Sequence, residues 1–105
     1  MNRIRTAAMI LLAASIAAPA FAQSAGADTY KAKCAMCHGP DGTASTPAGK
    51  AMKTPSFKDP ASVKSTDADL IAVTKNGKGK MPAYAGKLTD AQIKEVVSYI
   101  RTLQK

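Results

Sequence analysis

The chain has 105 residues and carries 15 Lys and Arg against 7 Asp and Glu, a net charge of +8. That balance suits an anionic lipid surface or an acidic protein partner, whereas the absence of an aromatic-rich basic stretch speaks against a nucleic-acid module. Two cysteines and one histidine in the whole chain are too few for a structural zinc site of four such ligands.

The N-terminus reads as a removable leader. Arg3 and Arg5 precede an apolar run from Ala7 to Ala18, and Ala20-Phe21-Ala22 closes it with small residues at the outer positions. Basic start, apolar stretch and A-x-A site together predict export and cleavage after Ala22. The apolar run is shorter than the ~20 residues a spanning helix needs, so no stable membrane insertion is expected after cleavage. What remains, residues 23–105, is one small domain, and losing two basic residues leaves it with thirteen against seven acidic, or +6. Its only aromatics are Tyr30, Phe57, Tyr84 and Tyr99. A core that thin needs a staple at this size, and a large apolar cofactor would supply one.

Three helical stretches follow in chain order. The first is predicted over about Gly26 to Cys37, with Tyr30 and Cys34 on one face. Next comes a run dense in Gly, Pro, Asp, Ser and Thr between Gly39 and Gly49, which predicts a long loop. A loop of that length in so small a domain is expected to wrap something. The second helix begins near Thr66, where Thr66 and Asp69 fit a capping box, and ends at Asn76-Gly77. A second loop, Lys78 to Lys87, contains Met81. The third helix starts after Thr89, with Gln92 completing another capping box and Leu88 and Ile93 placed as a hydrophobic staple. Ile93, Val96, Val97, Ile100 and Leu103 then recur at helical spacing.

Chemistry concentrates in Cys34-Ala35-Met36-Cys37-His38. C-x-x-C-H is the pattern of a c-type haem attachment site. Two thiols one helical turn apart can each bond a former vinyl group of one porphyrin, and the next residue, His38, can then coordinate iron. A redox dithiol would want a βαβ context that is missing, and a plain disulfide remains the other option for exported thiols. For the second axial position Met81 is the candidate, in Gly77-Lys78-Gly79-Lys80-Met81-Pro82. Glycines let that backbone approach a cofactor closely, and a thioether raises the potential of His-ligated haem iron. Met36 and Met52 compete. Met36 lies between the cysteines, where the attachment points it away, and Met52 follows His38 too closely to reach the far side of the ring easily.

The chain resembles a small bacterial class I cytochrome c. The resemblance rests on Gly26 with Tyr30, the segment Cys34 to Gly39, Asn76 to Tyr84 with its Met81-Pro82, and Tyr99-Ile100-Arg101, and it spans residues 25–105. It implies an all-α fold, the class I cytochrome c fold, with three or more helices wrapped round one covalently bound haem c. It further implies that the first and last helices cross, with Gly26 and Tyr30 meeting Val96 and Tyr99. Family members hold the ligand histidine through a backbone carbonyl, often a proline's, for which Pro47 and then Pro40 are the candidates. Many relatives have a Trp near a haem propionate; this chain has none, and Tyr84 is one substitute.

These readings converge on a periplasmic, monomeric electron carrier, not an enzyme, that cycles Fe(III)/Fe(II) in a His38/Met81-ligated haem. Cys34, Cys37, His38 and Met81 form its cofactor site. Lys31, Lys33, Lys50, Lys53, Lys78, Lys80 and Lys87 flank the two cofactor segments and are expected to steer redox partners with acidic docking faces. The alternative is a small haem enzyme or a gas-binding sensor with a labile Met81. The lack of a second histidine counts against the enzyme.

Overall fold

The structure, a computed structural model, describes residues 20–105. Among the described residues six helices follow one another: α1 Ala20–Lys33, α2 Ala35–His38, α3 Pro47–Ala51, α4 Pro60–Lys64, α5 Asp67–Asn76 and α6 Asp90–Leu103. Among the described residues there is no strand, only two isolated bridges, Lys78 with Met81 and Ala85 with Leu88. The architecture is all-α, as the sequence implied. The predicted leader, residues 1–22, lies outside the described residues save for Ala20, Phe21 and Ala22, which open α1. None of the described helices is long and apolar enough to cross a membrane.

Both strongly signalled helices stand where their caps put them. The Thr66 hydroxyl accepts the Asp69 N–H at 3.1 Å, and the Asp69 carboxylate accepts the Thr66 N–H at 3.3 Å. Thr89 and Gln92 repeat the arrangement at 3.1 and 2.8 Å. Each cap satisfies donors that the first helical turn leaves without partners and contributes ~1 kcal/mol. Leu88 and Ile93, the predicted staple, are both buried, and Val96, Val97 and Ile100 continue the buried face of α6.

That face packs on α1, the most extensive helix–helix contact of the fold. Gly26 allows the approach: a Cβ there would collide with the Glu95 carbonyl and stand 3.3 Å from the Tyr99 Cβ. One turn on, the Tyr30 ring meets Tyr99 at 5.2 Å between centroids, tilted by 57°. Tyr30, Phe57, Val96 and Ile100 form the central apolar cluster, with Cys34, Ala35, Tyr99 and Leu103 packed around it.

Two expectations need correction. The first helix is not continuous over Gly26 to Cys37: α1 begins earlier and stops at Lys33, and Cys34 (φ −116°, ψ −34°) separates it from α2. The run read as a long loop, Gly39 to Gly49, turns into α3 at Pro47, and α4 forms before Thr66, where no helix was expected. Both short helices begin with a polar cap followed by proline, Thr46-Pro47 and Asp59-Pro60. Proline suits that first position because its fixed φ is already helical and its missing N–H would have been unpaired anyway. Arg101 of α6 fastens this region. Its Nε donates to Asp67 Oδ1 at 2.9 Å and its Nη2 to the Ser65 carbonyl, just beyond α4.

Candidate functional site

Cys34, Cys37 and His38 are presented by the break between α1 and α2 and held by the turn that follows. The His38 N–H bonds to the Cys34 carbonyl at 3.0 Å, and the His38 carbonyl accepts the Ala44 N–H at 2.7 Å. The Thr46 hydroxyl donates to the Met36 carbonyl at 2.6 Å while accepting the Gly49 N–H at 3.0 Å, so the cap of α3 also clamps α2. Behind them the buried Tyr30 hydroxyl donates to the Gly39 carbonyl at 2.7 Å. One side chain thus serves both the α1–α6 crossing and the turn beyond His38.

Both cysteines are free thiols and half-buried. Burial pushes the Cys34 thiol up to about 11, so it is held as the neutral thiol. His38 lies flat against Phe57, ring centroids 4.3 Å apart and planes within 15°. Burial lowers its pKa below the ordinary histidine value, which favours the neutral imidazole that a metal needs. Its Nδ1 is buried and has no hydrogen-bond partner among the described residues. The carbonyls of Pro47 and Pro40 therefore do not hold it, contrary to what the resemblance implied. Pro47 opens α3, so its carbonyl lies along that helix's axis. Packing on Phe57 orients the ring instead.

The three methionines of residues 24–105 differ sharply in exposure. Met36 is 78% exposed and Met52 47% exposed, whereas Met81 is half-buried. Met81 closes a tight turn in which it and Lys78 exchange backbone hydrogen bonds at 3.0 and 3.1 Å. Gly77 makes the turn possible. It has φ +76°, and a Cβ there would lie 2.6 Å from the Met81 carbonyl oxygen. Tyr84, offered above as a propionate partner, commits its hydroxyl elsewhere, to the Lys33 carbonyl at 3.0 Å. On α5, Leu70, Ile71 and Val73 stay half-buried although they are apolar.

This set of groups fits a haem. Two unpaired thiols share a motif with a neutral imidazole, one thioether is shielded while the others are exposed, and α5 keeps apolar surface that the α1–α6 core does not cover. No cluster of three or more His, Cys, Asp or Glu among the described residues could hold a bare metal ion. Phe57 and Thr46 were missed as parts of the site. Thr46-Pro47 carried a local signal as a helix start; Phe57 is 19 positions from His38 and carried none.

A helical domain with this donor set is a haem-binding module of the cytochrome type, and comparison with known proteins agrees. Residues 21–100 match the family described as cytochrome C oxidase, cbb3-type, subunit III. A cytochrome c6 from Picosynechococcus sp. is 36% identical, covering 95% of this chain and 92% of its own. The KustC0563 c-type cytochrome superposes with a TM-score of 0.70 at 29% identity, covering 76% of this chain and 98% of that one. Cytochrome c6 from the diatom Phaeodactylum tricornutum does so with a TM-score of 0.61 at 25% identity, covering 78% and 93%. The chain belongs to the c-type cytochromes, as a small class I member with one covalently bound haem c. Its role is electron transfer and not enzymatic turnover.

Proposed function

We propose that Cys34 and Cys37 carry the haem, that His38 and Met81 are its axial ligands, and that the mature protein, residues 23–105, works in the periplasm as a monomeric shuttle between partners with acidic faces. The observation that supports the ligand pair most is the shielding of Met81 while Met36 and Met52 lie exposed. Bound haem c supplies a one-electron Fe(III)/Fe(II) couple. The chain's own residues set its surroundings. His38 is braced from behind by Phe57. The Met81 turn limits entry of water and of small ligands from the other side. With both positions taken by the protein, no substrate has to reach the metal, so neither a catalytic site nor a gas sensor is needed to account for these residues.

The purified exported protein tests this in one preparation. Its intact mass is expected to equal residues 23–105 plus one haem, and the colour is expected to stay with the protein in acid–acetone. The oxidised form is expected to show a sulfur-to-iron charge-transfer band that Met81→Ala removes. Retention of residues 1–22 would mean an anchored protein, and a high-spin wild-type spectrum would exclude Met81.

Charge supplies the partner. Lys31, Lys33, Lys50, Lys53, Lys78, Lys80 and Lys87 are all exposed, and none takes part in the two ion pairs found among the described residues, Lys75–Asp90 and Arg101–Asp67. Transient redox complexes have small interfaces, so long-range attraction keeps encounter fast without slowing release. Electron exchange with the native partner is expected to slow by roughly an order of magnitude as the Debye length falls from ~30 Å to ~8 Å. Lys33→Glu, Lys53→Glu or Lys80→Glu should slow it further, and Lys105→Glu should matter less. A second-order rate indifferent to salt would remove the steering role.

A further inference from the structure

We infer that Tyr84 is the positioning residue for Met81, holding the Met81 segment against the helix end that carries the cysteines. The inference rests on the ligand reading above and adds a residue to it. It starts from the backbone at Cys34. In an unbroken helix the Cys37 N–H would bond to the Lys33 carbonyl. Here it turns to the Cys34 carbonyl at 3.3 Å, which frees the Lys33 carbonyl for another donor. The Tyr84 hydroxyl takes it at 3.0 Å, across 51 positions of sequence.

The same residue is tied on its other side. The Tyr84 N–H bonds to the Thr74 carbonyl at 3.0 Å, and the next N–H, of Ala85, bonds to the Lys75 carbonyl at 3.1 Å. Tyr84 therefore links the last turn of α5, through its backbone, to the last residue of α1, through its side chain. Among the described residues this is the one hydrogen bond between the segment 77–88 and residues 24–38. The Lys87 ammonium sits 5.7 Å from the Tyr84 ring centroid, a cation–π placement that favours the observed ring position. Met81 lies three residues upstream, in the turn closed by its paired bonds with Lys78. Loosening the hydroxyl tie should therefore raise the fraction of molecules in which the turn has swung off the cofactor side, while leaving the ring and the fold in place.

Tyr84→Phe removes only the hydroxyl. Tyr99→Phe is the matched control, because the Tyr99 hydroxyl makes no hydrogen bond among the described residues, though its ring packs on Tyr30. Imidazole is titrated into each oxidised holoprotein, where it must displace the thioether to bind. Losing one solvent-accessible hydrogen bond should make imidazole bind about fivefold more tightly to Tyr84→Phe. Both variants should keep the charge-transfer band without imidazole, and Tyr99→Phe should match wild type. In a Met81→Ala background, Tyr84→Phe should have no further effect. Equal imidazole affinity in wild type and Tyr84→Phe, with the band lost in Met81→Ala, overturns the Tyr84 role and spares the ligand reading. A band that survives Met81→Ala overturns both. Equal tightening in both Phe variants points to general loosening and also overturns the positioning role.

Discussion

Replacing Cys34 and Cys37 together with alanine is expected to give a colourless chain with no cooperative unfolding transition. Ordering the backbone costs roughly 1–2 kcal/mol per residue. Against that cost stands a fully buried set dominated by Tyr30, Ile93 and Val96, with Phe57, Leu88, Val97 and Ile100 nearly buried. In a domain of this size such a core supplies only about 3–5 kcal/mol. The apolar side of α5 is not part of it, since Leu70, Ile71 and Val73 remain half-buried. The cofactor completes the core, and two covalent links keep it there. Thermal melts followed by far-ultraviolet circular dichroism check this. A double variant that stays helical and melts near the wild-type temperature would show that the protein core suffices.

The second large effect is expected at Tyr30. Tyr30→Phe keeps the ring between α1 and α6 but removes one of two donors to the buried Gly39 carbonyl, which accepts the Tyr30 hydroxyl at 2.7 Å and the Gly42 N–H at 3.1 Å. Losing that one hydrogen bond costs about 0.5–1.5 kcal/mol, at roughly 4–8 °C of Tm per kcal/mol in a domain this small. Tyr30→Ala adds a cavity of aromatic size and should cost about 3–5 kcal/mol in all. Burial also raises the Tyr30 pKa well above its ordinary value of 10.0. The folded state therefore keeps the phenol neutral while the unfolded chain ionises. Tyr30's contribution is whole below the unfolded pKa and declines as pH rises beyond it. Wild-type stability should fall more steeply above pH ~10 than that of Tyr30→Phe. Parallel pH–stability curves for the two proteins would contradict this assignment.

What could be read without coordinates was local chemistry. C-x-x-C-H places its three groups within one helical turn whatever the rest of the chain does, and the two capping boxes act over three residues, so Thr66–Asp69 and Thr89–Gln92 appear in the structure as written. Gly26 and the apolar face of α6 were legible for a related reason: a missing side chain and a 3.6-residue period each announce a close partner, though not its angle. The caps of α3 and α4 were equally local and passed unread because turn-forming residues around Pro47 and Pro60 masked them. The break at Cys34 could not be read, since the preference of one residue to leave a helix depends on what its freed carbonyls find. Phe57 behind His38, Arg101 at the end of α4, and the Tyr84 hydroxyl on the Lys33 carbonyl join residues 19, 36 and 51 positions apart. Those pairings exist only after the α1–α6 crossing and the tie of Tyr84 to α5 have brought distant backbone within hydrogen-bonding reach, and no pattern along the chain encodes which carbonyl will be left without a partner.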